Sequence, residues 1–330
     1  EQILDDGGNF ELSPMYHSIF LEDLLDLINI YKSYNKVLPA HIISKSIQML
    51  DWLNVMLHPD RDIAFFNDST LKIAPTYDDL MSYSRRLDVP YMGKKTPQFK
   101  HLKESGYIVV NKENQFIVAD IASIGPDYIP GHGHADTLSF EMSLSGNRII
   151  VNSGISTYKL DDIRLKQRGS LAHSTITIDD KNSSEVWSGF RVASRAKIFN
   201  IKKNVTTDSI NFSACHDGYK KLKGRVVHCR EWLVSNYSLE VIDRIDGIGE
   251  HVVRSVLPLH PNVKITSIQE NKVYLRVDST KFEIIFKGDG ILKVKADQYN
   301  QGFGLSFANQ HLIYEYNGSL PYKCKIIISW

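Results

Sequence analysis

Residues 138–151 read Leu-Ser-Phe-Glu-Met-Ser-Leu-Ser-Gly-Asn-Arg-Ile-Ile-Val and carry the clearest secondary-structure signal in the chain. Apolar side chains alternate over Leu138–Met142, and a turn signal follows at Ser145-Gly146-Asn147. A second strand-like run, mostly apolar, covers Arg148–Val151. Alternation with a period of two indicates a half-buried strand, and two such runs joined by a glycine-containing turn indicate a hairpin. The stretch therefore predicts two antiparallel strands.

The same signal recurs from Gly106 to the end of the chain. No alternation of strands and helices accompanies it, which excludes a doubly wound sheet. Many short strands separated by turn signals are typical of an antiparallel β-sandwich, and this is the fold that we predict. Further runs of this kind are Tyr107–Val110, Phe116–Ile121, Ser174–Ile178, Ser209–Phe212, Ser238–Ile242, Val252–Leu257, Val273–Val277, Phe282–Phe286, Leu312–Tyr316 and Cys324–Ser329.

Before residue 90 the pattern is helical. Ser13-Pro14 is a helix start, because serine caps the first turn and proline suits the first helical position. Apolar residues at three- and four-residue spacing predict helices over residues 14–34 and 39–57, and a third, shorter helix is expected over 76–86. Three helices are too few to close a domain, so they must pack on something else. We predict a helical segment over residues 1–92 and a sandwich over 93–330, joined at Gly93–Pro97.

The composition limits the class of protein. Hydrophobic and charged residues make up 42% and 23% of the 330 residues, which is ordinary for a globular protein and excludes wholesale disorder. The 39 Lys and Arg residues nearly balance the 38 Asp and Glu residues, so the basic excess of a nucleic-acid binder is missing. No apolar run is long enough to predict a membrane span. Cys215, Cys229 and Cys324 are odd in number and far apart, so no disulfide framework is expected.

The densest polar cluster is the segment Pro130-Gly131-His132-Gly133-His134-Ala135-Asp136. If the segment is extended, His132, His134 and Asp136 lie on one face, and such a face suits a metal, or one metal ligand beside one catalytic group. The alternative is a polar loop that leads into the strand at Leu138. The two glycines favour the functional interpretation, because they allow a ligand to approach the backbone closely.

Three further features are candidates for chemistry. His173 precedes a strand-like run and is either a ligand or a structural histidine. Arg164 and Arg168, with Tyr158, are candidates to line an anionic-substrate groove, since the guanidinium fork matches a carboxylate; the alternative is surface arginine. Tyr16, followed by His17, stands in the first turn of a predicted helix, where the helix dipole favours a phenolate, although most such tyrosines only pack. Trp187 and Phe190 are core residues or a sugar-stacking platform.

Taken together, these motifs resemble the heparinase II/III-like family of polysaccharide lyases. The resemblance covers roughly the first 200 residues and implies an antiparallel β-sandwich that follows the last helices of an α/α toroid. Family members cleave acidic glycans at a uronic acid by β-elimination. The matching stretches are Glu1–Leu25, Gly125–Ser139, Ile149–Tyr158, Arg164–Ile178 and Ser184–Arg191.

The resemblance also implies roles for single residues. Tyr16 matches a catalytic tyrosine that acts as acid and also as a candidate base, His132 matches a histidine that assists proton abstraction, and Tyr158 matches a second active-site tyrosine. We place Arg164, Arg168 and His17 among the substrate contacts. The expected substrate is an acidic polysaccharide or oligosaccharide.

A structural zinc is the expected cofactor, with His134, His173 and Asn152 as its ligands. The family has an aspartate where this chain has Asn152, and an amide oxygen is a poorer zinc ligand than a carboxylate, so weak binding is expected. Family members also carry an Asn/His pair well upstream of the tyrosine, whereas only fifteen residues precede Tyr16. We therefore expect the chain to be part of a longer enzyme.

Two other functions stay open at this point. One is a noncatalytic glycan-binding or polysaccharide-assembly protein of a bacterial capsule or lipopolysaccharide system. The other is a cupin-like metalloenzyme, but cupins place a glutamate three or four residues after the second histidine, and here six residues separate His134 from Glu141. The resemblance favours the bacterial periplasm or cell envelope and leaves the cytoplasm open.

Overall fold

The computed structural model describes residues 1–330. Three of its four helices lie before residue 90, as the apolar spacing predicts, and they are α1 (Pro14–Ser33), α2 (Ala40–Val55) and α3 (Tyr77–Arg86). The Ser13 hydroxyl accepts the Tyr16 N–H, which confirms the predicted start of α1. The fourth helix, α4 (Asp162–Arg168), was not predicted and is capped by Asp161. None of the helices is both long and apolar enough to cross a bilayer.

The rest of the chain is antiparallel β-structure, which confirms the predicted fold class. Five strands form a meander in chain order, and these are β1 (Phe99–Leu102), β2 (Tyr107–Lys112), β3 (Gln115–Asp120), β4 (Phe140–Leu144) and β5 (Asn147–Ile150). The remaining strands are β6 (Ile176–Ile178), β7 (Val186–Trp187), β8 (Arg191–Val192), β9 (Ile198–Val205), β10 (Ile210–His216), β11 (Val227–Val234), β12 (Ser238–Asp246), β13 (Glu250–Pro258), β14 (Lys264–Gln269), β15 (Lys272–Val277), β16 (Thr280–Lys287), β17 (Ile291–Gly302), β18 (Leu305–Ser319) and β19 (Tyr322–Ser329).

These later strands build two larger sheets and a small hairpin. One sheet has eight strands in the order β14-β15-β16-β19-β12-β11-β10-β9, and the other has four in the order β17-β18-β13-β6. Strands β7 and β8 pair only with each other. Buried apolar residues from the five-, eight- and four-stranded sheets form one continuous cluster, which is the core of the sandwich.

The predicted hairpin is present as β4 and β5, although β4 begins at Phe140 rather than Leu138. Leu144 pairs with Asn147 across the turn. The two turn residues, Ser145 and Gly146, have φ angles of 49° and 85°. Positive φ at both central positions is the geometry that two-residue hairpin loops favour, and it explains the glycine.

The five-stranded sheet is the middle layer of the molecule. Ile108 and Val110 point into the sandwich core, whereas Tyr107 and Val109 belong to the core formed with the three N-terminal helices. Successive side chains of a strand point to opposite faces, so β2 and β3 each serve both cores. The three helices therefore pack on this sheet, as expected for helices too few to form a domain of their own.

The chain between α2 and α3 is fixed to the middle sheet by buried polar contacts. Glu141 on β4 accepts the Phe65 N–H at 3.1 Å and binds His58 Nε2 at 2.9 Å. Arg148 on β5 forms a bidentate pair with Asp60 at 2.7 and 3.1 Å. A buried carboxylate is tolerated only when several donors satisfy it, so these contacts hold the connection in one path. That path leads to the candidate site.

Two expectations from the sequence concern the cysteines and the domain boundary. Cys215 and Cys229 form a disulfide, contrary to the expectation from their number and spacing. They lie directly opposite each other on β10 and β11, with 4.0 Å between their Cα atoms, and this proximity depends on strand register. The boundary between residues 92 and 93 stays a prediction.

His17 is a structural residue and lies away from solvent, which corrects its expected contact with substrate. Its Nδ1 accepts the Asn9 N–H at 3.2 Å, its Nε2 donates to the Met49 carbonyl at 2.9 Å, and its ring stacks on Trp52. Both ring nitrogens are therefore used by the protein in the neutral form. Burial lowers the pKa of His17 from its ordinary 6.5 to about 3.

We expect His17 to make the protein less stable in acid. Below pH 6.5 the unfolded chain takes up a proton that the folded chain refuses until about pH 3. The free energy of unfolding should therefore fall with decreasing pH, by up to ~1.4 kcal/mol per pH unit for this residue. His17→Asn keeps an acceptor and cannot titrate, so its slope of unfolding free energy against pH should be smaller by that amount. Denaturant titrations at several pH values measure it.

His41, which is exposed on α2, provides the control. His41→Asn should leave the slope as it is in the wild type. An unchanged slope in His17→Asn would show that the buried imidazole does not couple folding to pH.

Candidate functional site

Tyr16, His132 and Tyr158 meet at the junction between α1 and the sandwich. The Tyr16 hydroxyl lies 2.9 Å from the Tyr158 hydroxyl. The Tyr16 ring packs on the His132 ring, with 3.9 Å between centroids and 31° between planes. Tyr16 and Tyr158 are 142 positions apart in the sequence. The structure thus brings together all three residues that were predicted to be catalytic.

The two phenols differ in how firmly they hold their protons. Burial raises the pKa of Tyr16, and its hydrogen bond with Tyr158 acts against that rise. Burial also raises the pKa of Tyr158 far above its usual range, and the Asp68 charge and the same hydrogen bond add to the rise. Tyr158 therefore holds its proton more firmly than Tyr16 does, and it can donate a hydrogen bond to a Tyr16 oxygen that has lost its own proton. A negative charge that forms on Tyr16 would be stabilised by this donor.

His132 lies in a loop, so the extended segment considered for residues 130–136 is not formed. Its Nδ1 lies 2.8 Å from Asp68 Oδ2, and its Nε2 lies 3.7 Å from Glu11 Oε1. The His132 side chain is 20% exposed and that of Glu11 is 22% exposed, so both reach the open side of the site. Burial raises the pKa of Glu11, although the neighbouring His132 opposes it.

Asp68 is the centre of the polar contacts and was missed by the sequence analysis. Its side chain is fully buried, and its carboxylate binds His132 and His134 Nε2 at 2.8 Å each. It also receives two donors from Arg164, of which Nη2 lies at 2.6 Å. Burial alone would raise the pKa of Asp68, but the hydrogen bonds from the two histidines and Arg164 hold it well below its usual range.

Glu11 was also missed. Its position five residues before Tyr16, inside the Glu1–Leu25 stretch, was the available signal, because the first turn of α1 and the segment before it must enter the site together. Asp68 offered no comparable signal, since it is one of three aspartates, with Asp60 and Asp62, in the connection between α2 and α3.

Arg164 and Arg168 are fully buried, which corrects their expected role as substrate contacts. Arg164 is occupied by Asp68, and its guanidinium lies 4.9 Å above the Tyr158 ring. Arg168 has no carboxylate partner and directs its donors to the carbonyls of Gly133, Ser188, Gly189 and Arg191. Burial, together with the Arg164 charge, lowers the pKa of Arg168 to about 10.

Aromatic side chains form one wall of the site. Phe190 and Phe303 both pack edge-on against the Tyr158 ring, at 5.1 and 4.9 Å between centroids. Phe190 also contacts the His132 ring at 5.8 Å. Both phenylalanines are 39% exposed, so the wall faces solvent as well as the reacting groups. The nearby Trp187 is more exposed still.

His134 and His173 face each other in the buried part of the site. Nδ1 of His134 lies 3.3 Å from Nε2 of His173, a separation that two ligands of one tetrahedral zinc would have. Nδ1 of His173 is buried and has no partner. The third expected ligand, Asn152, donates to the Phe65 carbonyl at 2.8 Å and accepts the Ser174 N–H at 3.4 Å. The structure thus brings together two of the three expected ligands, and Asn152 offers only a neutral oxygen; no group of three or more His, Cys, Asp or Glu side chains is arranged to hold a metal ion.

The structure predicts that Arg168 matters for stability. Arg168→Ala removes the side-chain donor of the buried Gly133 carbonyl and of two partly buried carbonyls, whereas the Gly189 carbonyl keeps its donor from Arg164. An unsatisfied buried group costs about 1–3 kcal/mol, so we expect a loss of at least about 1 kcal/mol in the free energy of unfolding. Lys159→Ala removes an exposed cation from the same region and should cost little. Denaturant unfolding of both variants makes the comparison. Equal losses would mean that the Arg168 contacts do not stabilise the fold.

Comparison with known proteins agrees with this architecture. The model of the heparinase II/III N-terminus matches residues 1–85, and the model described as heparinase II/III-like, C-terminal, matches residues 94–330. A heparin-sulfate lyase of Pedobacter heparinus is 25% identical over 203 residues, which cover 55% of this chain and 30% of that protein.

Solved structures extend the likeness over the whole chain. The heparan sulfate lyase HepC of Pedobacter heparinus has a TM-score of 0.78 at 20% identity, covering 99% of this chain and 54% of that one. A heparinase III structure has a TM-score of 0.81 at 17% identity, covering 99% and 55%. The chain thus spans about half the length of these structures, and at these identities the likeness is one of fold. The family model that matches residues 94–330 covers most of the chain, which therefore belongs to the heparinase II/III-like family.

Proposed function

We propose that this chain carries the proton-transfer groups of a polysaccharide lyase that cleaves a uronate-containing acidic glycan by β-elimination. The observation that carries the proposal is the hydrogen bond between the phenols of Tyr16 and Tyr158, with the Tyr16 ring packed on the imidazole of His132, which reaches the open side of the site. Family membership and the heparin-sulfate lyase relative support the same reaction class.

The elimination needs a base and an acid on either side of the breaking bond. His132, with Nδ1 held by Asp68, takes the proton from C5 of the uronate on its Nε2. The electron pair left at C5 forms the C4–C5 double bond as the C4–oxygen bond breaks. Tyr16 gives its proton to the departing oxygen. Tyr158 stabilises the phenolate that this leaves, because its own proton is held firmly.

Removing the Tyr16 hydroxyl should greatly slow turnover. Tyr16→Phe keeps the ring that packs on His132 and removes only the acid, so we expect kcat to fall about 10²–10⁴-fold, the usual contribution of general acid–base catalysis. The assay incubates this chain, and in parallel the complete gene product, with a panel of uronate glycans and follows the ultraviolet absorbance of the unsaturated product.

Tyr237, which is 72% exposed, supplies the matched control, and Tyr237→Phe should retain full activity. Full activity of Tyr16→Phe would refute the assignment. Glycan binding by the complete gene product without any unsaturated product would instead support the noncatalytic glycan-binding alternative.

We also propose that His134 and His173 hold a structural zinc weakly. The outer nitrogen of His134 is bound by Asp68, which is the usual arrangement behind a metal-bound histidine. Bound there, the ion would supply structural cross-linking between the loop at 132–139 and the loop at 170–175.

Asn152→Asp should strengthen zinc binding. The variant adds a carboxylate beside the two imidazoles and loses the donor to the Phe65 carbonyl, so it should be less stable than the wild type without metal and gain more from zinc. We expect zinc affinity to rise by on the order of tenfold, measured by calorimetric titration and by thermal unfolding with and without zinc. Ser153→Asp serves as the control for an added charge in the same strand end. An Asn152→Asp variant with unchanged zinc affinity would exclude this position as a ligand.

A further inference from the structure

We propose that the buried Asp68–Arg164 pair is the positioning element of the site: it fixes which nitrogen of His132 carries the proton and holds the Tyr158 ring in place. The proposal deepens the proposed function and rests on it. Neither residue has exposed side-chain surface, so both must act through the groups that they contact.

Asp68 sets the position of the proton on His132. An ionised carboxylate can only accept hydrogen bonds, so the 2.8 Å contact between Asp68 Oδ2 and Nδ1 requires a proton on Nδ1. In the neutral ring the lone pair is then on Nε2. That atom faces the open side of the site, where Glu11 is its neighbour at 3.7 Å. Asp68 therefore presents His132 as an acceptor toward the cleft.

Arg164 holds the Tyr158 ring in place. Arg164 binds Asp68 with both terminal nitrogens, and its Nε donates to the Gly189 carbonyl at 3.0 Å. All of its nitrogens are thus anchored, and the flat guanidinium lies 4.9 Å from the Tyr158 ring and 5.2 Å from that of Phe190. A cation held over an aromatic face attracts it. One ion pair thereby supports both the imidazole and the second phenol.

A second cluster of the same residue types shows what a purely structural version looks like. In the sandwich, Asp243 binds His228 Nε2 at 2.7 Å and Arg230 at 2.7 and 2.9 Å. The other nitrogen of His228 faces buried His216 at 3.1 Å, so it never reaches solvent. The Asp68 cluster differs in that its histidine opens onto the site.

The proton position can be measured directly. Nitrogen NMR of the histidine-labelled chain distinguishes protonated from unprotonated ring nitrogens, and His132→Gln identifies the His132 signals. We expect the wild-type neutral ring to carry its proton on Nδ1. In Asp68→Asn an amide N–H can face Nδ1, so the form with the proton on Nε2 should appear. A wild-type ring with its proton on Nε2 would overturn the proposal.

Turnover in the assay above gives the second readout. Asp68→Asn should lower kcat by about 10²-fold or more and leave KM nearly unchanged, as expected for a group that orients a catalytic histidine. Arg164→Lys keeps the charge and loses the fork, so it should lower kcat while the proton stays on Nδ1. This second variant also serves if Asp68→Asn does not fold.

Asp243→Asn is the stability-matched control, because it removes a buried carboxylate from an equivalent Arg and His pair. It should lower the free energy of unfolding. The His132 NMR signals and kcat should stay as they are in the wild type. An equal loss of kcat in Asp243→Asn would show that Asp68 affects turnover only through the stability of the fold. Absence of elimination by the wild-type complete gene product would refute the proposed function, whereas the NMR result would still decide where His132 carries its proton.

Discussion

The buried carboxylate of Asp68 is the constraint on which the rest of the site depends. Removing an ion from water costs several kcal/mol, and the cost is recovered only if well-placed donors surround it. Here those donors are Arg164, His132 and His134, which belong to α4 and to the loop before β4. Each of these segments must therefore arrive at one point for the fold to be complete. The same requirement brings the aromatic groups of Tyr16 and Tyr158 together, because they pack on His132 and beneath Arg164.

Much of the fold could be predicted from the sequence, because the signals that define it are local. Alternation of apolar residues located most strands, and a serine cap with a proline located the start of α1. What could not be predicted depends on long-range geometry. The Cys215–Cys229 disulfide follows from the register of β10 against β11, and the short helix α4 is too brief to show an apolar period. The loop at His132 keeps its shape through contacts with Asp68, which no local pattern contains.

The candidate site shows the same division. Tyr16, His132 and Tyr158 could be selected because each lies in a motif that resembles a family pattern, and the structure places them within contact distance. Arg164 and Arg168 were misassigned because the sequence shows which residues are charged but not which of them are buried in the fold. One of them neutralises a carboxylate almost a hundred residues away, and the other satisfies main-chain carbonyls. Asp68 was missed for the converse reason, since an acidic residue in a connecting segment gives no sign of the groups that will surround it.

The middle sheet has a consequence for how such a chain can evolve. Strands β2 and β3 lend one face to the helices and the other to the sandwich, with Tyr107 and Val109 on the first side and Ile108 and Val110 on the second. If the helical segment were exchanged for unrelated sequence, a broad apolar surface would be bare and prone to aggregation. The junction near residue 92 is thus a poor point for gene fusion or domain shuffling. Packing therefore favours keeping the helices and the sandwich together, because each covers one face of the shared sheet.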